Sequence, residues 1–333
     1  MKLYVILPSY NIEVEKDVIN TEIIDGYKLI TNKTFFDVYE KEIIVPNRAL
    51  SDIYLSLKKD ILEQQQGEII PRSIAKYLLI KEMEVEDGTN FDINVLIKEE
   101  KAKLNYFVLI FRLIQKGRCQ FNNLYIFTKD SHARSLISFS TNIDDIGSIL
   151  ASKEEVLHER QYIVSIETIK NLNQASLIIR PFSMDILIPI NYFMQYYNSV
   201  SMYDRIIKLA IVLESSVLAG IKEELNYRLK IRTSAFLKKD CQKILNMFYQ
   251  LRSCIVHNGS IDIKYFKEIK KIINIEQCSD SKSLFAFISD YVEPLVRDIL
   301  YKSFEVFAKD ETIKNYNQLF SSVDAEIMKK VTI

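Results

Sequence analysis

The stretch "DCQKILNMFYQLRSCIVHNG", residues 240–259, determines how the second half of this 333-residue chain is interpreted. Aspartate is favoured at the start of a helix and Asn-Gly is typical of a helix end, so the stretch predicts one helix between Asp240 and Gly259. That helix carries Arg252 and, five positions later, His257, which is one of only three histidines in the sequence. The pair indicates either a capped helix end or half of an active site.

The residues on both sides of this stretch predict further helices. From Tyr192 onward apolar residues recur at helical spacing, with Gly220 closing one segment and Pro294 predicting a kink in another. The other predicted helices are "YDRIIKLAIVLESSVLAG", "IKEELNYRLKIRTSAFLKK", "DIKYFKEIKKIINI" and "SDSKSLFAFISDYVEPLVRDILYKSFEVFAKD". Four or five helices with short connections are typical of a helical bundle.

The first 190 residues predict a mixed domain of strands and helices. The expected strands are "LYVIL", "YKLIT", "FFDVYEKEIIVP", "NNLYIFTKD", "RSLISFS" and "RQYIVSIET". The expected helices are "NRALSDIYLSLKKDILEQQQ", "PRSIAKYLLIKEM", residues 92–115 and part of "TNIDDIGSILASKEEVLHE". The two prolines of "SLIIRPFSMDILIPI" favour a strand-like or irregular segment. The predicted fold is therefore an α+β domain over residues 1–190, followed by an all-α bundle over residues 191–333.

The composition excludes several classes of protein. The four cysteines form no CxxC pair and no Cys/His ligand spacing, so we expect neither a structural zinc site nor a disulfide framework. No run approaches the roughly 20 apolar residues that a membrane helix needs, and the apolar start is too short for a signal peptide. We expect a cytoplasmic protein that uses no metal and no cofactor.

Charge is balanced over the whole chain but not along it. Residues 201–333 carry 21 Lys and Arg against 17 Asp and Glu, a net charge of +4, which leaves −4 for residues 1–200. Within residues 222–243 seven side chains are basic and three are acidic, and Arg228 and Arg232 lie one helical turn apart. Such a helix usually presents a solvated charged face, and the sharper interpretation is a track for the backbone of an RNA substrate.

Arg252 and His257 have the side chains needed to cleave RNA without a metal. Arginine offers a planar fork that suits phosphate oxygens, and the dipole at a helix end favours a protonated imidazole. His257 would transfer the proton of the ribose 2′-OH, and Arg252 would stabilise the charge that builds up on phosphorus. Five residues separate the pair by about 140° and about 7.5 Å on a helix, so the two side chains cannot lie side by side. The spacing alone is common in sequences and needs support from its surroundings.

Glu214 supplies part of that support. It lies on the apolar stripe of its own predicted helix, and a core-facing carboxylate needs a cationic or hydrogen-bonding partner. The stripe consists of Ile207, Ala210, Ile211, Glu214, Val217 and Leu218. The candidate partners are Arg252, Arg228 and Arg232, and the pair would either support an active site or only fix the register of the helices.

Three blocks of this region together resemble the Apea-like branch of the HEPN superfamily. They are Leu213-Glu214, then "ELNYRLKIR" from Glu224 to Arg232, and then "YQLRSCIVHNG" from Tyr249 to Gly259. The resemblance covers residues 190–310. One departure is Asn258, which stands before Gly259 where the family often has glycine directly after histidine.

The resemblance implies a helical bundle that forms a homodimer, with the arginine and histidine of both copies lining one cleft. Active members of the family are metal-independent endoribonucleases, and many serve in toxin–antitoxin pairs or in phage defence by abortive infection. Carried over to this chain, Arg252 and His257 would be catalytic, Glu214, Ser253 and Asn258 supporting, and Arg228 and Arg232 substrate-binding. The partners implied are an RNA substrate, a second copy and either an antitoxin or a phage-derived trigger.

The N-terminal part is loosely similar to the domains that precede such bundles in phage-defence effectors. That similarity implies a domain that senses a trigger or restrains the nuclease. The alternative for the whole chain is an inactive HEPN-like module that binds RNA or only dimerises. In that case Arg252 would pair with Glu214, and His257 would cap its helix.

Overall fold

The computed structural model divides the chain into two units, Met1–Ser176 and Leu177–Ile333. The division falls before the predicted boundary at residue 190, so the helix Met184–Asn198 belongs to the second unit. The structure describes residues 2–10, 12–43, 54–58, 61, 75–85, 93–115, 120–121, 123–128, 139–142, 162–179, 184–199, 201–275 and 277–331.

An antiparallel sheet organises the first unit. In the described residues its strand order is β3-β4-β5-β1-β7-β8. The short strand β6 pairs with the end of β1. Strands β2 and β9 form a separate parallel pair. The strands are β1 (Lys2–Tyr10), β2 (Ile12–Val14), β3 (Glu22–Ile24), β4 (Tyr27–Thr31), β5 (Tyr77–Glu84), β6 (Gln120–Phe121), β7 (Asn123–Thr128), β8 (Phe139–Asn142) and β9 (Tyr162–Val164). The predicted strands "LYVIL", "YKLIT" and "NNLYIFTKD" are therefore confirmed.

Both faces of the central strand β1 are buried, which explains its continuous apolar run. Tyr4 and Ile6 enter one apolar cluster, and Leu3, Val5 and Leu7 are equally buried on the opposite face. Helix α1 (Ile93–Ile114) matches the helix predicted over residues 92–115. It is buried along the predicted stripe, from Leu104 through Phe107 and Val108 to Phe111. Helix α2 (Ile166–Ile178) follows β9.

Two predictions in the first unit are wrong. "FFDVYEKEIIVP" is not a strand: a helical turn at Asn32–Thr34 continues as a π turn, Phe35–Tyr39, and a 3₁₀ turn, Glu40–Glu42. Phe35, Tyr39 and Ile43 follow one another at intervals of four, so a helix places all three against the same apolar cluster. "PRSIAKYLLIKEM" is not a helix, because its second half forms β5 between β1 and β4.

Other predicted segments are described only in part. Residues 54–58 and 61 of the helix predicted over residues 47–66 are helical, and Phe139–Asn142 at the end of "RSLISFS" is a strand. The segment "TNIDDIGSILASKEEVLHE", which includes His158, lies outside the described residues except for Thr141 and Asn142. His132 also lies outside them.

The described residues of the second unit form helices joined by turns and short connections. Its helices are α3 (Met184–Asn198), α4 (Met202–Ser215), α5 (Leu225–Leu237), α6 (Gln242–Asn258), α7 (Ile263–Ile273), α8 (Asp280–Phe287), α9 (Glu293–Lys309) and α10 (Tyr316–Val331). This confirms the coarse prediction of an N-terminal α+β part followed by a helical part.

Two prolines of this unit lie within helical segments. Pro189 lies in the second turn of α3, where the prediction of a strand-like or irregular segment is wrong. The missing N–H removes one hydrogen bond, and the buried positions Ile186, Ile190 and Phe193 still line one face of the helix. A π turn, Ile288–Val292, ends two residues before Pro294, close to the position of the predicted kink.

A buried polar network connects α3 to α9. The Tyr197 hydroxyl donates to Glu293 Oε1 at 2.5 Å, and Arg297 Nη2 donates to Glu293 Oε2 at 3.0 Å. Burial, followed by the negative charge of Glu293, raises the pKa of Tyr197 well above its usual value, so the phenol keeps the proton that it donates.

No helix in the described ranges is both long enough and apolar enough to cross a membrane.

Candidate functional site

Helix α6 begins and ends close to the predicted positions. The Asp240 carboxylate accepts a hydrogen bond from the Gln242 amide at 3.0 Å, which satisfies one of the free N–H groups of the first turn. Gly259 ends the helix with a φ of 70°, a left-handed conformation that glycine adopts without strain, and its amide donates to the Ile255 carbonyl at 2.9 Å. Leu245, Phe248 and Leu251 bury the apolar face of α6 and fix its rotation in the bundle.

Arg252 and Glu214 form an ion pair between α6 and α4. Arg252 Nη2 lies 3.0 Å from Glu214 Oε1 and donates to Glu214 Oε2 at 3.4 Å. The two side chains are 27% and 28% exposed, so the pair sits at the edge of the bundle and not in its core. Glu214 was predicted to face the core and to have a cationic or hydrogen-bonding partner; it lies at the edge instead, and Arg252 is its cationic partner.

Within the described residues, only one nitrogen of the Arg252 guanidinium, Nη2, is bonded to another side chain. Among the described residues, its Nε and Nη1 groups have no hydrogen-bond acceptor. The Tyr249 ring, one turn earlier on α6, lies 5.9 Å from the guanidinium carbon and makes a cation–π contact with it. Glu214 and Tyr249 therefore hold the group from two sides and leave three N–H donors for an external anion.

His257 lies in the last turn of α6 and is exposed. Its imidazole makes no hydrogen bond or ion pair with any residue that the structure describes, and the end of the helix is closed by the Gly259 amide instead. The imidazole is thus accessible to a ligand. Within the described residues, no hydrogen bond of the imidazole supports the alternative role of His257 as a helix cap.

Ser253 and Asn258 flank the two central side chains. Ser253 is half-buried next to Arg252. Asn258 Nδ2 lies 3.6 Å from the Cys254 sulfur, whose thiol in turn contacts the Ser260 carbonyl at 3.1 Å. These contacts tie the Asn-Gly turn to the body of α6 and so fix the backbone on which His257 stands.

The two arginines predicted to bind substrate differ from each other. Arg228 is 45% exposed and lies 3.8 Å from Glu224 in a surface ion pair, so its charge faces solvent. Arg232 is 2% exposed and bonded on every nitrogen, since Nε and Nη2 donate to Asp324 and Nη1 donates to the Val217 carbonyl. The structure thus gives Arg232 an internal position in which it presents no donor to a surface ligand.

Two residues of this region were missed by the analysis of the sequence, Tyr249 as a contact of Arg252 and Asp324 as the partner of Arg232. Asp324 lies on α10, which was not predicted. The buried residues Tyr316, Leu319, Phe320 and Val323 are spaced by three, one and three positions, a periodicity that would have indicated that helix.

Among the described side chains, no group of three or more His, Cys, Asp and Glu is arranged to hold a metal ion. Comparison with protein-family models, with curated proteins and with solved structures finds no match for this chain.

Proposed function

We propose that the chain is a metal-independent endoribonuclease of the HEPN type, with Arg252 and His257 as its catalytic residues. The observation that carries the proposal is the state of Arg252. It is fixed by Glu214 through one terminal nitrogen and keeps its other donors at the half-exposed edge of the bundle, on the same helix as an unpartnered, exposed histidine. A fixed cation with free N–H donors matches a phosphate that gains charge during a reaction.

The reaction is an attack of a ribose 2′-oxygen on the neighbouring phosphorus. The 2′-O–P bond forms, the P–O5′ bond breaks, and the products are a 2′,3′-cyclic phosphate and a 5′-hydroxyl end. His257 accepts the 2′ proton as a general base, and a protonated imidazole donates a proton to the leaving 5′-oxygen. Arg252 donates an N–H group that Glu214 leaves free to a non-bridging phosphate oxygen, where the charge develops.

The reaction needs a second copy of the chain. Five residues place Arg252 and His257 about 140° apart around α6, so one copy does not direct both side chains at one phosphate from the same face. A homodimer that brings two α6 helices together supplies two arginines and two histidines to one cleft. One imidazole then acts as base and the other as acid. Arg228, exposed on α5, would contact the RNA backbone.

The proposed biological role is that of an RNA-cleaving effector in antiphage defence or in a toxin–antitoxin pair. The first unit would sense the trigger or restrain the nuclease. This role rests on the resemblance of the α4–α6 residues to the HEPN motifs, Glu214, Arg228, Arg252 and His257 included.

Cleavage of a labelled RNA in EDTA tests the proposal. The wild type should cleave and leave 2′,3′-cyclic phosphate and 5′-hydroxyl ends, and His257→Ala should lower the rate by about 10²–10⁴-fold, the usual contribution of a general acid or base. Lys264→Ala, a change of an exposed basic side chain on the next helix, serves as the control. A requirement for a divalent metal, or full activity of His257→Ala, would contradict the mechanism.

The ion pair also favours a second candidate, an inactive HEPN-like module that binds RNA or dimerises. In that protein the Arg252–Glu214 pair would serve only to join α4 to α6. Glu214→Gln separates the two candidates, because the inactive module cleaves no RNA with or without the carboxylate. A catalytic pair predicts slower cleavage at nearly unchanged stability.

A further inference from the structure

Arg232 belongs to the motif that resembles the HEPN family, yet the proposed reaction does not use it. Its guanidinium binds the segment that follows α4: Nη1 donates to the Val217 carbonyl at 2.7 Å and approaches the Ala219 carbonyl at 3.4 Å. Both carbonyls lie within five residues of Glu214, which occupies the last turn of α4. Arg232 thus contacts the end of the helix that holds the partner of Arg252.

The other side of the same guanidinium binds α10. Nε and Nη2 donate to the two carboxylate oxygens of Asp324 at 3.0 and 2.6 Å, a forked geometry that fixes both position and orientation. The Phe320 ring, one turn earlier on α10, lies 5.9 Å from the guanidinium carbon. Arg232 therefore connects three elements, α5, α10 and the turn after α4.

A second contact between that turn and α10 occurs at Gly220. Its φ is 79°, and a Cβ built there would lie 2.3 Å from Asn317 Oδ1. The turn is also bonded to the end of α4, because the Leu218 amide donates to the Leu213 carbonyl at 3.2 Å and the Ser216 amide to the Val212 carbonyl at 3.0 Å. The backbone after Glu214 is held by α4 and by α10.

The charges at this helix end require such a partner. The C-terminus of a helix carries a partial negative charge, which is unfavourable for a carboxylate in the last turn such as Glu214. The Arg232 guanidinium offsets that charge from the turn beyond the helix, where it binds the Val217 and Ala219 carbonyls. It also determines where the last turn of α4 lies, and hence where Glu214 places Arg252.

We propose that Arg232 and Asp324 are positioning residues of the nuclease site: they clamp the end of α4 so that Glu214 orients the Arg252 guanidinium. The inference rests on the proposed function, because it assigns these residues a part in that reaction. Neither residue touches RNA, and the effect on the reaction passes through Val217, Glu214 and Arg252 in turn.

The experiment compares Asp324→Asn with Leu284→Ala in the full-length protein. Asparagine keeps the size of the side chain but removes its charge, which weakens the clamp. Leu284 is buried on α8, which packs mainly against α7 and the π turn Ile288–Val292, so its truncation lowers stability without removing a contact of Arg232 or Asp324. All assays are run at a temperature at which circular dichroism shows every variant folded.

A clamp predicts that Asp324→Asn lowers kcat for RNA cleavage by about 10- to 100-fold with little change in KM, the size expected when a catalytic group is displaced by a fraction of an ångström to 1 Å. Hydrogen exchange of the amides of residues 216–224 should become faster. Asp324→Glu, which restores the carboxylate, should recover most of the activity. Leu284→Ala should keep the kcat of the wild type and the slow exchange of this segment.

The possible outcomes distinguish the two proposals. If the wild type cleaves RNA and Asp324→Asn keeps its kcat, or loses it no more than Leu284→Ala does, the positioning role is refuted and the nuclease proposal stands. If the wild type does not cleave RNA at all, the nuclease proposal fails and the positioning role fails with it.

Discussion

Two arginines of the helical unit, Arg232 and Arg252, each bind a carboxylate on another helix, but they do so in opposite ways. Arg232 is buried and donates from all of its nitrogens, to Asp324 and to backbone carbonyls. Arg252 is 27% exposed and uses one terminal nitrogen, which leaves the N–H groups of Nε and Nη1 free of any partner among the described residues. The difference teaches that two arginines of neighbouring helices can differ fully in their free donors, and free donors at Arg252 are what the proposed function requires.

The first way to test this comparison is to remove the buried arginine. Arg232→Ala leaves Asp324 and the Val217 carbonyl without their partner, so we expect the free energy of unfolding to fall by about 3–5 kcal/mol. Urea denaturation measures it. Arg228→Ala, four residues earlier on the same helix and exposed, is the matched control and should change stability by less than about 0.5 kcal/mol. Equal losses of unfolding free energy in the two variants would contradict the structural role of Arg232.

A mixing experiment examines whether Arg252 and His257 act between two copies. On their own, Arg252→Ala should lower RNA cleavage by about 10²–10³-fold and His257→Ala by about 10²–10⁴-fold. Mixed dimers keep one arginine and one of the two imidazoles in the shared cleft, whereas each variant alone lacks one kind of group entirely, so unfolding and refolding the two variants together should restore part of the activity. The control is each variant refolded alone. A mixture no more active than its components would contradict a shared cleft.

Glu214→Gln tests the carboxylate that binds Arg252. Because both members of the pair are about a quarter exposed, loss of the charge should cost no more than about 1 kcal/mol of stability. Cleavage should fall by about tenfold, because the guanidinium loses the ion pair that orients it. Asp298→Asn, half of the exposed pair of Lys239 and Asp298 at 3.8 Å, controls for the removal of a carboxylate. A stability loss of about 3–5 kcal/mol without any effect on cleavage would favour the inactive module.

The smallest effect is expected at Tyr249. Tyr249→Leu removes a cation–π contact worth about 0.5–1 kcal/mol at an exposed site, so cleavage should fall only a few-fold. Tyr249→Phe keeps the ring and should behave like the wild type. Cleavage kinetics of the two variants test this expectation. A loss of cleavage rate in Tyr249→Phe as large as in Tyr249→Leu would show that the hydroxyl, and not the ring, supports cleavage.

Much of the fold was predictable from local patterns. The helix between Asp240 and Gly259 follows from its end residues, and α1 follows from an apolar stripe of more than five turns. The errors occurred where tertiary contacts decide between two patterns. Tyr77–Glu84 is a strand because β1 and β4 hydrogen-bond to it from both sides, and no local propensity reveals those neighbours.

The candidate site was predictable in its residue types and less so in its pairings. The position of Glu214 on an apolar stripe required a basic partner, and Arg252 was among three candidates. The sequence held no means to choose, because the choice depends on how α4, α5 and α6 rotate against one another. Arg232, four residues after the exposed Arg228, lies on nearly the same face of α5 but about 6 Å further along its axis, where α10 packs against it.

The most direct test of the central claim is one variant, Arg252→Ala, measured for both stability and cleavage of RNA in EDTA. The free energy of unfolding should stay within about 1 kcal/mol of the wild type, since the pair is partly exposed. Cleavage should fall by about 10²–10³-fold, since a donor to the transition state is lost. A variant that loses about 3–5 kcal/mol of stability, or that cleaves RNA as the wild type does, would show that Arg252 is a structural arginine like Arg232.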